Sequence, residues 1–444
     1  MKQRVVYLAI SLLATSSLTA QEAKKWTLND CIEYALEKNI QLQQDKISLE
    51  ESDVDVKTAK ATLFPSLSFN TGHNVTNRPY QENSSTVNGT EIISSNSKTT
   101  YSGNYGLNAQ WTVWNGNKRI NTIKQKKMSR EIAGLTVAQT ENSLQEQIAQ
   151  VFIQILYADE SVKINENTLQ VSRATYERGV ELFNEGSISK ADLAQLEAQV
   201  GNDQYQLVTA ESSLRDYKLQ LKQLLELDGT EEMNLVLPTL TDEHVLQPLP
   251  GQTDIYQQAL ASRPEIQSSK LNIESSKLDI SVAKAGYYPT ISLSASAGST
   301  TNSASENGWG KQMKYGWNNM IGINLSIPIF DKRQNKSAVQ KARLQYSSSQ
   351  LDLINKQKEL YKNIESLWLD ATNAQQQYDA AESKLKSSFD MVNEQFNLGM
   401  KNTVELLTEK NNLLSAQQQR IQAKYMAILD RTLLNFYAGQ EIKL

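Results

Sequence analysis

The chain has 444 residues, with 45 Lys and Arg against 49 Asp and Glu, two His and one Cys. A net charge of −4 argues against a nucleic-acid partner, which calls for a basic excess. One Cys excludes an intrachain disulfide and a Cys-based zinc site, and two distant His (His73, His244) leave little for His-centred catalysis or metal ligation. No metal, cofactor or catalytic residue is therefore expected.

The first element in chain order is a leader. Lys2 and Arg4 precede an apolar run from Val5 to Ala14 that is too short to span a bilayer, and small residues follow to Ala20. This predicts a signal peptide over residues 1–20 and an exported product. No later apolar run is long enough for a transmembrane helix, and no lipobox precedes Cys31.

The remainder repeats itself. Ala35-Leu36 matches Ala259-Leu260, and Ala59-Lys60-Ala61 matches Ala283-Lys284-Ala285. Further on, Gly106-Leu107-Asn108 matches Gly322-Ile323-Asn324, and Phe183-Asn184-Glu185-Gly186 matches Phe396-Asn397-Leu398-Gly399. The order is the same in both copies. This predicts one duplicated unit, over 21–227 and 253–444, around a linker at 228–252.

Each copy opens with a short helix (28–37; 255–262) and a helix of about twenty residues (43–63; 267–287). A Pro and an alternating strand follow, then a polar loop (76–100; 299–316) and a second strand. A very long helix (118–183; 334–396) leads through a Gly-containing turn to a last helix (189–227; 402–437). No Pro falls between Pro79 and Pro238 or after Pro328, so both long segments are free to be helical. Leu353, Leu360 and Leu367 recur every seven, as do Leu144, Val151 and, offset, Ile148 and Ile155, which reads as coiled coil. A helix of about 65 residues spans roughly 100 Å, so two shorter helices end to end nearly match it.

The strands alternate apolar and polar residues. Tyr105, Leu107, Ala109, Trp111 and Val113 interleave with Gly106, Asn108, Gln110 and Thr112. Ile321, Ile323, Leu325, Ile327 and Ile329 interleave with Gly322, Asn324, Ser326 and Pro328. The strand lengths suit a bilayer crossing, and aromatic residues near the strand ends (Trp111, Trp114, Trp317, Phe330) suit membrane girdles in contact with lipid. Four strands cannot close a barrel, and open edges are not tolerated in lipid. The chain is therefore expected to oligomerise, and the polar strand face favours twelve strands around a lumen in a homotrimer. The predicted fold class is mixed: a membrane-anchored β-barrel, four strands per chain and twelve in a trimer, with a long antiparallel α-helical coiled-coil tunnel, internally duplicated.

In this order the elements resemble the TolC-type outer-membrane efflux duct family. The resemblance rests on the leader, the duplication, the paired strands, the Leu325–Asp331 strand-to-helix junction, Trp26-Thr27-Leu28, and the two turn motifs Phe183–Ser189 and Phe396–Asn402. It implies a passive trimeric exit duct in the outer membrane, with its tunnel in the periplasm, docked by a periplasmic adaptor to an inner-membrane pump. It also implies adaptor docking at Phe183, Asn184, Gly186, Ser187, Phe396, Asn397, Gly399 and Met400. On their own residues, Gly186 and Gly399 read as left-handed helix stops. Asp192 and Glu405 read as capping partners of Ser189 and Asn402. The resemblance adds a carboxylate gate at Asp192 and Glu405, and Lys401 as a latch to Asp192 of a neighbouring hairpin. Gln195 and Thr408 stand where the family pattern has a second acid, so the ring is thinner here. Two other functions compete. An exported coiled-coil structural protein or adhesin explains export and heptads but not the duplicated strand pairs. An exported enzyme finds no nucleophile–base set.

Overall fold

The computed structural model describes residues 25–80, 84–88, 91–95, 98–228, 233–238, 240–385, 389–398 and 400–444. The predicted leader lies outside them. In chain order they form β1 (Lys25–Trp26), α1 (Leu28–Lys38), α2 (Ile40–Ala61), β2 (Ser66–Asn77), β3 (Ser84–Asn88), β4 (Glu91–Ser95), β5 (Thr99–Trp114), α3 (Lys118–Asn184) and α4 (Lys190–Leu224). Then come β6 (Asn234–Leu235), α5 (Asp242–Val245), α6 (Gln252–Ser262), α7 (Pro264–Lys284), β7 (Thr290–Asn302), α8 (Trp309–Tyr315), β8 (Asn318–Ser326), α9 (Gln334–Leu385), α10 (Phe389–Asn397) and α11 (Thr403–Tyr437). The helix predicted over 334–396 thus appears as α9 and α10, and residues 386–388 lie outside the description. Local chemistry sets the helix starts. Thr27 and Asp30 form a reciprocal capping box at α1 (3.2 and 2.9 Å). Pro264 is the first residue of α7, where a missing N–H costs nothing. The helix thus starts three residues before the predicted 267.

Two compact units divide the chain. One comprises residues 47–135 and 268–354. It holds an antiparallel sheet in the order β2-β5-β7-β8. The register places Leu67, Ala109, Ala295 and Ile321 in one cross-strand row. The neighbouring rows on that face are Phe69–Leu107–Ala297 and Trp111–Leu293–Ile323. Side chains alternate across a strand, so the opposite face carries Ser68, Asn108 and Ser296, then Gln110, Ser294 and Gly322. The apolar face is uncovered: Ile321 is 84% exposed, and Leu67, Phe69, Leu107, Ile323 and Leu325 are exposed too. Neither β2 nor β8 pairs on its outer edge with a further strand among the described residues. The helices of this unit are tied by ion pairs, Lys126 to Asp55 (2.7 Å) and Arg130 to Asp53 (2.5 Å). Arg119 donates to the Thr62 and Val113 carbonyls (2.7 and 3.0 Å), fixing the start of α3.

The other unit comprises the described residues up to 46, with 136–267 and 355–444. Its main core gathers Cys31, Ile32 and Ala35 of α1, Ile148, Phe152 and Ile155 of α3, Leu221 of α4, and Ile421 and Ile428 of α11. Cys31, the only thiol of the chain, is fully buried there. Arg263 is buried as well. It donates to Glu146 (2.9 Å) and lies 3.7 Å from the centre of the Tyr437 ring.

Several expectations need correction. The polar loop at 76–100 contains the β3–β4 hairpin, and its outer residues extend β2 and β5. The loop at 299–316 contains α8, around a buried Gln312 that accepts from the Asn302 N–H (2.7 Å) and donates to the Asn307 carbonyl (2.6 Å). Ser, Asn and Thr suit loops and strands alike, so composition does not separate the two. The last strand stops at Ser326, not Ile329, because Pro328 has no N–H for a ladder. The segment predicted as a linker carries β6, which pairs in parallel with β1, and α5, whose Val245 is buried.

Candidate functional site

The two helical turns singled out by sequence lie in the second unit. The first, between α3 and α4, closes with two bonds. The Ser187 N–H donates to the Leu182 carbonyl (2.8 Å), and the Gly186 N–H donates to the Phe183 carbonyl (3.0 Å). This is a Schellman stop, and Gly186 supplies its left-handed residue at φ +74°. The second turn repeats the outer bond, from the Met400 N–H to the Gln395 carbonyl (2.8 Å). Gly399 lies outside the described residues.

A capping box follows each turn. The Ser189 side chain accepts from the Asp192 N–H, and the Asp192 carboxylate accepts from the Ser189 N–H (both 3.1 Å). Asn402 and Glu405 do the same (2.9 and 3.2 Å). Lys401 pairs with Glu405 of its own chain (2.7 Å). Asp192 is held by the Ser189 N–H and hydroxyl (3.1 and 2.6 Å). These bonds favour the charged carboxylate. Ser189 chiefly holds Asp192 below the ordinary 3.8, and Lys401, then the Asn402 backbone, holds Glu405 below the ordinary 4.5.

A carboxyl whose folded pKa is depressed stabilises fully above its unfolded value, and this is lost as pH falls through the folded value. The turns are therefore expected to be indifferent to pH well above 4.5, the contribution of Glu405 being lost as pH falls below 4.5 and that of Asp192 as it falls below 3.8. Amide hydrogen exchange at residues 187–193 and 401–406, corrected for intrinsic rate, checks this. Loosening between neutrality and pH 5.5, at least about one unit above both values, would count against it.

Side chains at the turns fall into two groups. Phe183, Asn184, Gly186, Ser187, Asn397, Leu398 and Met400 are exposed. Phe396 is not. It is 2% exposed, packed with Leu182, Leu196 and Leu406 in a small core that joins the two turns. As a surface for another protein the Phe396 ring is therefore withdrawn, while the equivalent Phe183 is offered.

Behind this core lies a cluster that sequence reasoning missed. Lys410 of α11 and Asp203 of α4 form an ion pair, 5% and 2% exposed, and both bond to Ser172 of α3. Gln199 donates to the second Asp203 oxygen (2.8 Å). Every Asp203 oxygen is thus bonded, which a buried charge requires. The pattern held a signal. Asp203 lies seven after buried Leu196 and four before buried Leu207, and Lys410 lies four after buried Leu406, so both charges sit in apolar seams.

Of the aromatic residues, Trp111, Trp114 and Phe330 lie at the sheet end that leads into the helices, and Trp317 precedes β8 at the opposite end. The Trp111 indole donates to the Leu63 carbonyl (2.7 Å), and Trp114 meets Tyr288 edge-on. The His73 ring packs among Tyr101 and Tyr105 on the sheet. Among the described residues no group of three or more His, Cys, Asp or Glu is placed to hold a metal.

The family model described as outer membrane efflux protein matches residues 31–226 and 255–440. The alkaline protease secretion protein AprF of Pseudomonas aeruginosa is 23% identical over 66% of this chain, which spans 62% of that protein's length. The outer membrane efflux protein BepC of Brucella suis is 20% identical over 96% of this chain and 88% of its own. Among solved structures, that of CusC superposes with a TM-score of 0.79 at 17% identity, covering 93% of this chain and 92% of the other.

Proposed function

Since the chain belongs to the outer membrane efflux protein family, we propose that it is an exit duct of the outer membrane, used for efflux or for type I secretion. It resides in that membrane, with a helical tunnel in the periplasm. The observation that carries the reading is the sheet. One face is a continuous apolar surface left uncovered by its own chain, the other is Ser- and Asn-rich, and both edges lack a strand partner among the described residues. Lipid suits the first face and water the second, but lipid tolerates no open edge. Three copies close the sheet into twelve strands around a lumen. Exposed stripes spaced by seven on two helices, Ile40-Ile47-Val54 and Leu344-Leu351, support packing of this chain against its copies. The two separate family matches support a duplicated unit, 21–227 and 253–444, around 228–252. The duct is passive, and the energy comes from its partners.

The exposed turn residues Phe183, Asn184, Gly186, Ser187, Asn397 and Met400 form the docking surface for a periplasmic adaptor, which joins the duct to an inner-membrane pump. Asp192, Lys401 and Glu405 form the gate. Their bonds, within one chain, hold each turn against its helix, so opening must break them or carry them along. Trp111, Trp114, Trp317 and Phe330 mark the two membrane girdles. Planar-bilayer conductance of the wild type and of Asp192→Ala/Glu405→Ala tests the assignment. Small, flickering wild-type currents and larger, steadier variant currents are expected. Equal currents would remove the gate and keep the duct. No current from inserted protein would remove the duct.

A further inference from the structure

The junction between β8 and α9 departs from its counterpart in the first half. There the chain passes from β5 into α3 through Gly116 and Asn117, both left-handed at φ +65°. Gly reaches this region freely and Asn with little penalty. The second junction takes the same two left-handed steps with Lys332 (φ +52°) and Arg333 (φ +70°). Two long basic side chains are thus held where the other copy shows that Gly and Asn suffice.

Lys332, Arg333 and Lys336 are exposed, and none of them forms an ion pair among the described residues. Arg333 makes one long contact, with Gln340 Oε1 (3.5 Å). The neighbouring acid, Asp331, is occupied with the Asn335 N–H (2.7 Å). Immediately before it stand Ile329 and Phe330, 95% and 84% exposed, continuing the apolar side of β8 through Leu325 and Ile327. The order along the chain is apolar sheet face, apolar wedge, cations. The unit that holds the sheet is also basic, with 20 Lys and Arg against 12 Asp and Glu, in a chain of net charge −4.

We propose that Ile329, Phe330, Lys332 and Arg333 form a docking surface for anionic phospholipid headgroups of the periplasmic leaflet. Ile329 and Phe330 enter the acyl boundary, and the two cations meet lipid phosphates. The proposal rests on the outer-membrane barrel reading above. Two observations choose lipid as the occupant. The surface is continuous with the apolar sheet face, and its charge is opposite to that of phosphatidylglycerol-type headgroups. An aromatic at the interface with basic residues beyond it is a recurrent anchoring arrangement. Each basic residue near an anionic surface strengthens binding about fivefold.

The test uses the full chain in zwitterionic detergent beside Lys332→Gly/Arg333→Asn. This variant installs the residues of the first junction and relaxes the backbone, so its unfolding temperature in detergent alone is expected to equal or exceed that of the wild type. Phosphatidylglycerol or phosphatidylcholine is added, and bound lipid is counted by native mass spectrometry. Wild type is expected to hold phosphatidylglycerol about thirtyfold more tightly than the variant, with phosphatidylcholine held alike. Equal phosphatidylglycerol retention by both proteins overturns the proposal. So does equal affinity of the wild type for the two lipids. A tetraglutamate peptide that displaces phosphatidylglycerol and binds better would assign the surface to an acidic protein segment and overturn it too. Insertion of both proteins into vesicles separates the two readings. Failure of the wild type to insert overturns the barrel reading and this one with it. Insertion without headgroup preference overturns this one alone.

Discussion

Lys410→Met is expected to destabilise the protein by about 3–5 kcal/mol, read as a lowered urea midpoint in detergent. The cause is the charge left behind. Asp203 is 2% exposed and would keep only Ser172 and Gln199 as donors in place of an ammonium. The attraction itself is offset by the cost of removing two ions from water, so the pair is worth far less than its removal costs. Lys410→Met/Asp203→Leu is therefore expected to recover most of the loss. Lys163→Met is the control. It breaks the Lys163–Asp159 pair, whose lysine is 70% exposed, and such pairs contribute about 0–1 kcal/mol. Equal losses at Lys410 and Lys163 would show that Lys410 is not buried in the working protein.

Ile321→Arg tests the sheet. Its side chain lies in a central row of the apolar face, beside Ala295. An Arg facing lipid near the bilayer middle costs about 2–4 kcal/mol per chain. Asn108→Arg places the same charge on the opposite face, in the row of Ser68 and Ser296, where water accepts it. Refolding into phosphatidylcholine vesicles across a urea series, followed by heat-modifiable gel mobility, is expected to fail or shift strongly for Ile321→Arg only. A larger penalty for Asn108→Arg would invert the assignment of the two faces.

Much of the architecture was legible because its signals are periodic. Period-two alternation in residues 105–113 and 321–326 translates directly into a two-faced strand, and long Pro-free stretches translate into helices. The capping boxes were legible as Ser189-x-x-Asp192 and Asn402-x-x-Glu405, since the motif is local. What escaped is what depends on the partner. Phe183 and Phe396 hold equivalent positions in the repeated turn motif, yet one is exposed and the other lies in the core between the turns. Equivalence in the repeat fixes a place in a turn, not which neighbour covers it. Lys410 escaped because lysine is almost always exposed, and only its four-residue offset from Leu406 hinted otherwise. The β3–β4 hairpin and α8 escaped because Ser- and Asn-rich sequence serves loop, strand and turn alike.

Cys31 sits with no exposed surface among Ile148, Phe152 and Ile428. A thiol so enclosed is closed to maleimides and nitroxide reagents, which need an accessible thiolate. A second cysteine placed at an exposed turn residue, Ser187 or Met400, would then be the single site that takes a label. In the duct proposed above, distances between such labels, one per copy, would report the width of its periplasmic mouth directly, and the native core would not first have to be rebuilt without its sulfur.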